Sequence, residues 1–132
     1  MDGANGGLMN FCPLHTYWFF NTQVTPQKDK CHVCVTEDDE FFLINTENRE
    51  IYDCVSILAV NYPFLKGQDR YVSCSRLFRY TPPHKVEDTG CSLRREDVQA
   101  VRDKVENSYV LEQENIDKIL LSLDNWLKNE FA

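Results

Sequence analysis

KCHVCVTEDDEFFLINT, residues 30–46, admits two readings that lead to different proteins. In the first, Cys31 and Cys34 flank His32 as half of a metal clip. In the second, CHVCV and FFLIN are paired strands joined by the acidic turn TEDDE. A two-residue gap presents both thiolates to one ion only where the intervening backbone turns, whereas on an extended strand residues three apart point to opposite faces. CHVCV is β-branched and apolar, has no glycine and runs straight into the turn, which favours the strands. The metal reading stands as the alternative. With CPLH upstream, Cys12, His15, Cys31 and Cys34 form a Cys, His, Cys, Cys set whose spacings suit tetrahedral zinc.

Working outward from this hairpin, LHTYWFFN is an aromatic run of strand type ending at Asn21, and TQVTPQKDK is a polar, proline-containing loop. TENRE is a turn and IYDCVSI predicts a fourth strand. NYPFLKGQD interrupts the pattern with Pro63 and Gly67, and RYVSCSRLFRY resumes it. That strand is expected to carry Val72, Cys74 and Arg76 on one face and Tyr71, Ser73, Ser75 and Leu77 on the other. TPPHKVEDTG reads as a loop, since consecutive prolines cannot sit in a hydrogen-bonded ladder.

From Ser92 the period changes. Ser92 is a candidate N-cap, Val98, Val101 and Val105 recur at helical spacing, and Glu96 and Asp97 suit the positive end of the helix dipole. These signals predict a helix over 93–107. A second, over 113–130, carries the stripe Ile116, Ile119, Leu120, Leu123 and Leu127. Strands first and helices last is an α+β order: a small antiparallel barrel or meander followed by two C-terminal helices.

The chain of 132 residues, with 42% hydrophobic content, suits one domain over 9–132, preceded by a flexible segment, MDGANGGL, at 1–8. No window approaches the roughly 20 apolar residues of a membrane span, and MDGANGGLMNF lacks the basic and apolar regions of a secretory signal. The expectation is therefore a cytoplasmic protein whose six cysteines are free thiols acting as small hydrophobes. A net charge of −7 argues against strong nonspecific attraction to nucleic acid, although a local basic patch remains compatible with RNA.

Several segments carry a family resemblance. A basic lead-in to a strand, QKDKCHVCV, is followed by a strand ending LINT, then YDC, then YPFLKGQDRYVSCSR, and finally the helices. Over residues 15–123 this order resembles the PemK/MazF-like toxins of bacterial toxin–antitoxin systems. The resemblance implies an SH3-like barrel with C-terminal helical structure and, as in many members, metal-independent RNA cleavage. INT at 44–46 matches the place where catalytic members have a Thr or Ser at the active site. The family's Gly, Glu, Arg, Pro pattern, with its phosphate-stabilising arginine, is absent; Lys28, Lys30 and His32 stand there instead.

Metal-free RNA cleavage needs a base for the 2′-OH proton, an acid for the leaving oxygen and a cation against the charge building on phosphorus. Lys30 or Arg76 is the candidate cation, His32 the candidate base or acid, and Thr46 with Ser73 or Ser75 the candidates for orienting the phosphate. The plain reading of Ser73 and Ser75 is the solvated side of an antiparallel sheet. His84, beside two prolines, reads as a surface residue, and SCS lacks the glycines of a nucleophile elbow.

Three functions follow as expectations. The first is a toxin-like component of a toxin–antitoxin or phage-defence module, acting on single-stranded RNA and held by an antitoxin or other protein partner. The second is a noncatalytic SH3-like interaction module. The third is a small zinc-binding adaptor. A helical face including Trp126 and Phe131 is a candidate surface for an antitoxin helix or for a homodimer.

Overall fold

The computed structural model describes residues 10–129. Six strands form one antiparallel sheet: β1 (His15–Asn21), β2 (Lys28–Cys34), β3 (Glu40–Asn45), β4 (Cys54–Ile57), β5 (Arg70–Arg79) and β6 (Val86–Ser92). Helices α1 (Arg95–Glu106) and α2 (Gln113–Asn129) follow. The strands lie in the order β4-β5-β3-β2-β1-β6, with every neighbouring pair antiparallel. The α+β order is as expected, but the sheet does not close into a barrel among the described residues: β4 and β6 lie at its two edges. No helix among those residues is long and apolar enough to cross a membrane. The flexible segment expected at 1–8, and Phe131 of the expected helical face, lie outside the described residues.

The opening stretch resolves as a hairpin. Cys31 pairs with Ile44 and Cys34 with Phe41 across β2 and β3. Where these central strands are covered on both faces, at 31–34 and 40–44, they read as nearly continuous apolar runs. Alternate residues serve two clusters. Cys31, Val33, Phe42 and Ile44 join the core that the helices cover, with Val98, Val101 and Val105 from α1 and Ile116, Ile119 and Leu123 from α2. On the opposite face Cys34 and Phe41 pack with Phe11, Tyr17 and Phe19, where Phe11 meets Tyr17 and Phe41 edge-on with ring centroids 5.0 Å apart.

Four local expectations are corrected. IYDCVSI is a strand only from Cys54, since Glu50–Tyr52 forms a 3₁₀ turn that ends at Asp53 in the left-handed region. Residues 86–90, the second half of the stretch read as loop, belong to β6: the prolines at 82 and 83 stay outside it, and the polar Glu87 and Asp88 suit an edge strand with an exposed side. Ser92 closes that strand, and α1 instead starts after Arg94, whose side chain makes no capping bond. The Tyr62 hydroxyl accepts from the Arg94 backbone N–H at 2.8 Å and donates to Asp97, which fixes the start of α1 against the core.

The fourth departure is in β5, which does not keep a regular alternation. Phe41 faces Phe78 but Leu43 faces Ser73, so β5 holds extra residues between these two pairings and bulges over 74–77. Strict alternation is lost there. Leu77 packs into the helix-side core, while Arg76 joins Ser73 and Ser75 around one cavity on the other face.

Candidate functional site

The cavity, of about 560 Å³, opens on the sheet face away from the helices. Its size is that of typical small-molecule pockets. Four segments build it. β2 contributes Lys28 and Lys30, β3 and the residues after it contribute Leu43, Asn45, Thr46 and Glu47, and bulged β5 contributes Ser73, Ser75, Arg76 and Phe78. The fourth wall is the loop at 22–27, with Tyr52 at the rim. Five of the six catalytic candidates, Lys30, Thr46, Ser73, Ser75 and Arg76, therefore meet in one place.

The charge of this cavity opposes that of the chain. Lys28, Lys30 and Arg76 line it with Glu47 as the sole carboxylate, whereas the whole protein carries −7. None of these three cations makes an ion pair among the described residues. Burial lowers the pKa of Lys30, and the neighbouring Lys28 and Arg70 charges lower it further. Arg76 donates from Nη2 to the Gln23 carbonyl at 3.0 Å, and its guanidinium lies 4.6 Å from the Phe78 ring centroid. The Asn45 amide donates to Ser73 Oγ at 2.7 Å. At the rim Arg49 donates to the Tyr52 hydroxyl at 3.3 Å. Cationic groups, hydroxyls and an aromatic ring around a partly apolar floor form a set suited to a phosphate with an attached planar group.

His32 is placed differently. It is 0 % exposed, stacked face to face on Phe19 with centroids 3.7 Å apart, and does not line the cavity. Burial pushes its pKa down to about 3. A neutral imbedded imidazole with Nε2 engaged by Asn21 is not positioned for acid–base exchange with a ligand in the cavity.

The zinc candidates do not converge. Cys31 belongs to the helix-side core and Cys34 to the aromatic cluster on the opposite face, while Cys12 is exposed. Burial pushes the Cys31 and Cys34 thiols up to about 12, which disfavours the thiolate a metal requires. Among the described residues no group of three or more His, Cys, Asp or Glu side chains is arranged to hold a metal ion.

The sequence marks 22–30 as a loop but does not assign it to the site, and Asn45, Tyr52 and Phe78 carry no assigned role there either. A signal existed for how that loop is anchored: an Asn followed by two polar residues, NTQ, favours a turn in which the Asn side chain accepts from the backbone two residues on. Gln23 N–H does donate to Asn21 Oδ1, at 2.7 Å. Comparison with protein-family models, with curated proteins and with solved structures gave no match.

Proposed function

We propose that this is a cytoplasmic, toxin-like component of a bacterial toxin–antitoxin or phage-defence module, and that its cavity binds the backbone of single-stranded RNA and cleaves it without a metal. The observation that carries this reading is the convergence of Lys28, Lys30 and Arg76, none ion-paired among the described residues, with Ser73, Ser75 and Thr46 on one cavity of an acidic protein. In this reading Arg76 takes the part of the missing family arginine against the charge on phosphorus, and Lys28 holds a neighbouring phosphate. Glu47 takes the 2′-OH proton and Lys30, its pKa lowered, protonates the leaving oxygen. The open sheet is then a splayed relative of an SH3-like barrel, and the antitoxin acts by covering the cavity.

The burial of His32 supports a second reading, a noncatalytic interaction module that keeps the cationic cavity for binding alone. Primer extension on cellular RNA after induction in a bacterial host separates the two, with Lys30→Ala and Arg76→Ala run beside the unchanged protein. Discrete cleavage sites that vanish in both variants are expected. Intact RNA and normal growth would overturn the ribonuclease reading in favour of the second.

A further inference from the structure

We propose that His32 is a positioning residue for Arg76, acting through Asn21 and Gln23. The connection is continuous and each link is short. Phe19 stacks on the His32 imidazole at 3.7 Å with the planes 6° apart, which fixes the ring. His32 Nε2 lies 3.1 Å from Asn21 Nδ2, Asn21 Oδ1 lies 2.7 Å from Gln23 N, and the Gln23 carbonyl lies 3.0 Å from Arg76 Nη2.

The direction of every bond follows from the one donor that cannot be reversed. Gln23 N–H can only donate, so Asn21 presents its oxygen there and turns its amide NH₂ to His32. His32 Nε2 must then accept, which requires the tautomer protonated at Nδ1. Both His32 and Asn21 are buried, at 0 % and 3 % exposure, so neither has water as an easy substitute partner. Gln23 is exposed at the cavity wall and is also tied by its side chain, whose Nε2 donates to the Arg79 carbonyl at 3.1 Å. The buried pair thus sets the loop at 22–27, and the loop's carbonyl sets the guanidinium over Phe78. This assignment rests on the proposed RNA site for its functional consequence, while the placement of Arg76 can be read without any ligand.

Two substitutions separate ring from acceptor. His32→Phe keeps an aromatic ring against Phe19 and deletes the acceptor; His32→Gln returns an amide oxygen near the position of Nε2. Asn21→Ala cuts the same path one step later, in case His32→Phe does not fold. The readouts are the Arg76 Nε–H resonance, assigned by its loss in Arg76→Lys, and the affinity for a labelled single-stranded RNA octamer, with thermal melting to confirm folding. His32→Phe and Asn21→Ala are expected to move the resonance to the position of solvated arginines and to weaken RNA binding about tenfold, the scale of one charge-assisted bond. His32→Gln is expected to restore both, and His32→Phe to add nothing in an Arg76→Ala background. A resonance unmoved in folded His32→Phe and Asn21→Ala would overturn the assignment. A resonance that moves as described, in a protein that binds no RNA, would keep the assignment and overturn the RNA reading instead.

Discussion

Replacing Glu40 by Ala should lower stability by about 2 kcal/mol at neutral pH, and the structure shows where the loss arises. Glu40 begins β3, is 8 % exposed, and holds three partners: Thr36 Oγ1 at 3.0 Å, Lys118 Nζ at 3.0 Å and Arg79 Nη2 at 3.2 Å. Thr36 is fully buried, and its oxygen already accepts from the Asp38 N–H, so losing Glu40 leaves its O–H as an unpaired donor at about 1–3 kcal/mol. The two ion pairs contribute less. Arg79 and Lys118 keep 65% and 30% of their side-chain surface in solvent, and such pairs are worth about 0.2–1 kcal/mol each. Relief from burying the carboxylate offsets part of the sum. Glu40→Gln, which keeps a neutral acceptor for Thr36, should lose about half as much.

The pH dependence carries the same signature. Burial raises the Glu40 pKa, but hydrogen bonds from Lys118, Thr36 and Arg79 outweigh it, and the net pKa lies below the ordinary carboxylate value. A depressed folded-state pKa gives stability that is present above the unfolded value and is lost as pH falls through the folded one. Urea unfolding should therefore show the gap between the unchanged protein and Glu40→Gln narrowing from about pH 4.5 downward. Equal midpoints for Glu40→Ala and the unchanged protein at pH 7, or a gap independent of pH down to pH 3, would refute this reasoning.

Other perturbations have equally definite outcomes. Leu123→Ala, which opens a fully buried site on α2 within the core that helices and sheet share, should cost about 2–5 kcal/mol by urea unfolding; a smaller loss would mean that α2 does not seal the core. At pH 8 a thiol reagent should react in the native protein with Cys12 first and Cys54 and Cys91 more slowly, leaving Cys31, Cys34 and Cys74 until unfolding, and early labelling of Cys31 would contradict its burial in the core. Gly67→Ala should destabilise by about 1 kcal/mol although nothing stands within 4 Å of the added carbon, because φ is +83° there; a neutral result would remove the backbone argument.

The hairpin of β2 and β3 was legible because two-faced burial leaves an uninterrupted apolar code, and α1 and α2 because their valine and leucine repeats have no strand interpretation. β6 was not legible. An edge strand needs few inward residues, so VEDTGCS looks like a loop until β1 is present to pair with it. Closure of the sheet was equally out of reach, since it depends on where β4 and β6 end up and not on any segment's composition. Arg76 was recognised as a candidate but assigned to the wrong face, because a bulge breaks the period-two rule without marking the sequence with glycine. His32 shows a further limit: spacing finds an imidazole, but whether it titrates depends on Phe19 and Asn21, which come from another strand.

If the cavity's cations bind an RNA backbone, that binding must depend on salt and on each cation. The direct measurement is the affinity of a labelled single-stranded RNA octamer, by fluorescence anisotropy from 25 to 200 mM salt, for the unchanged protein, Lys30→Ala and Arg76→Ala. Binding should weaken with salt, with each substitution reducing affinity and lowering the slope of log affinity against log salt by about 0.7, the value for one single-strand phosphate contact. No binding at the lowest salt, or binding with the same affinity and slope in all three proteins, would contradict RNA binding by these cations.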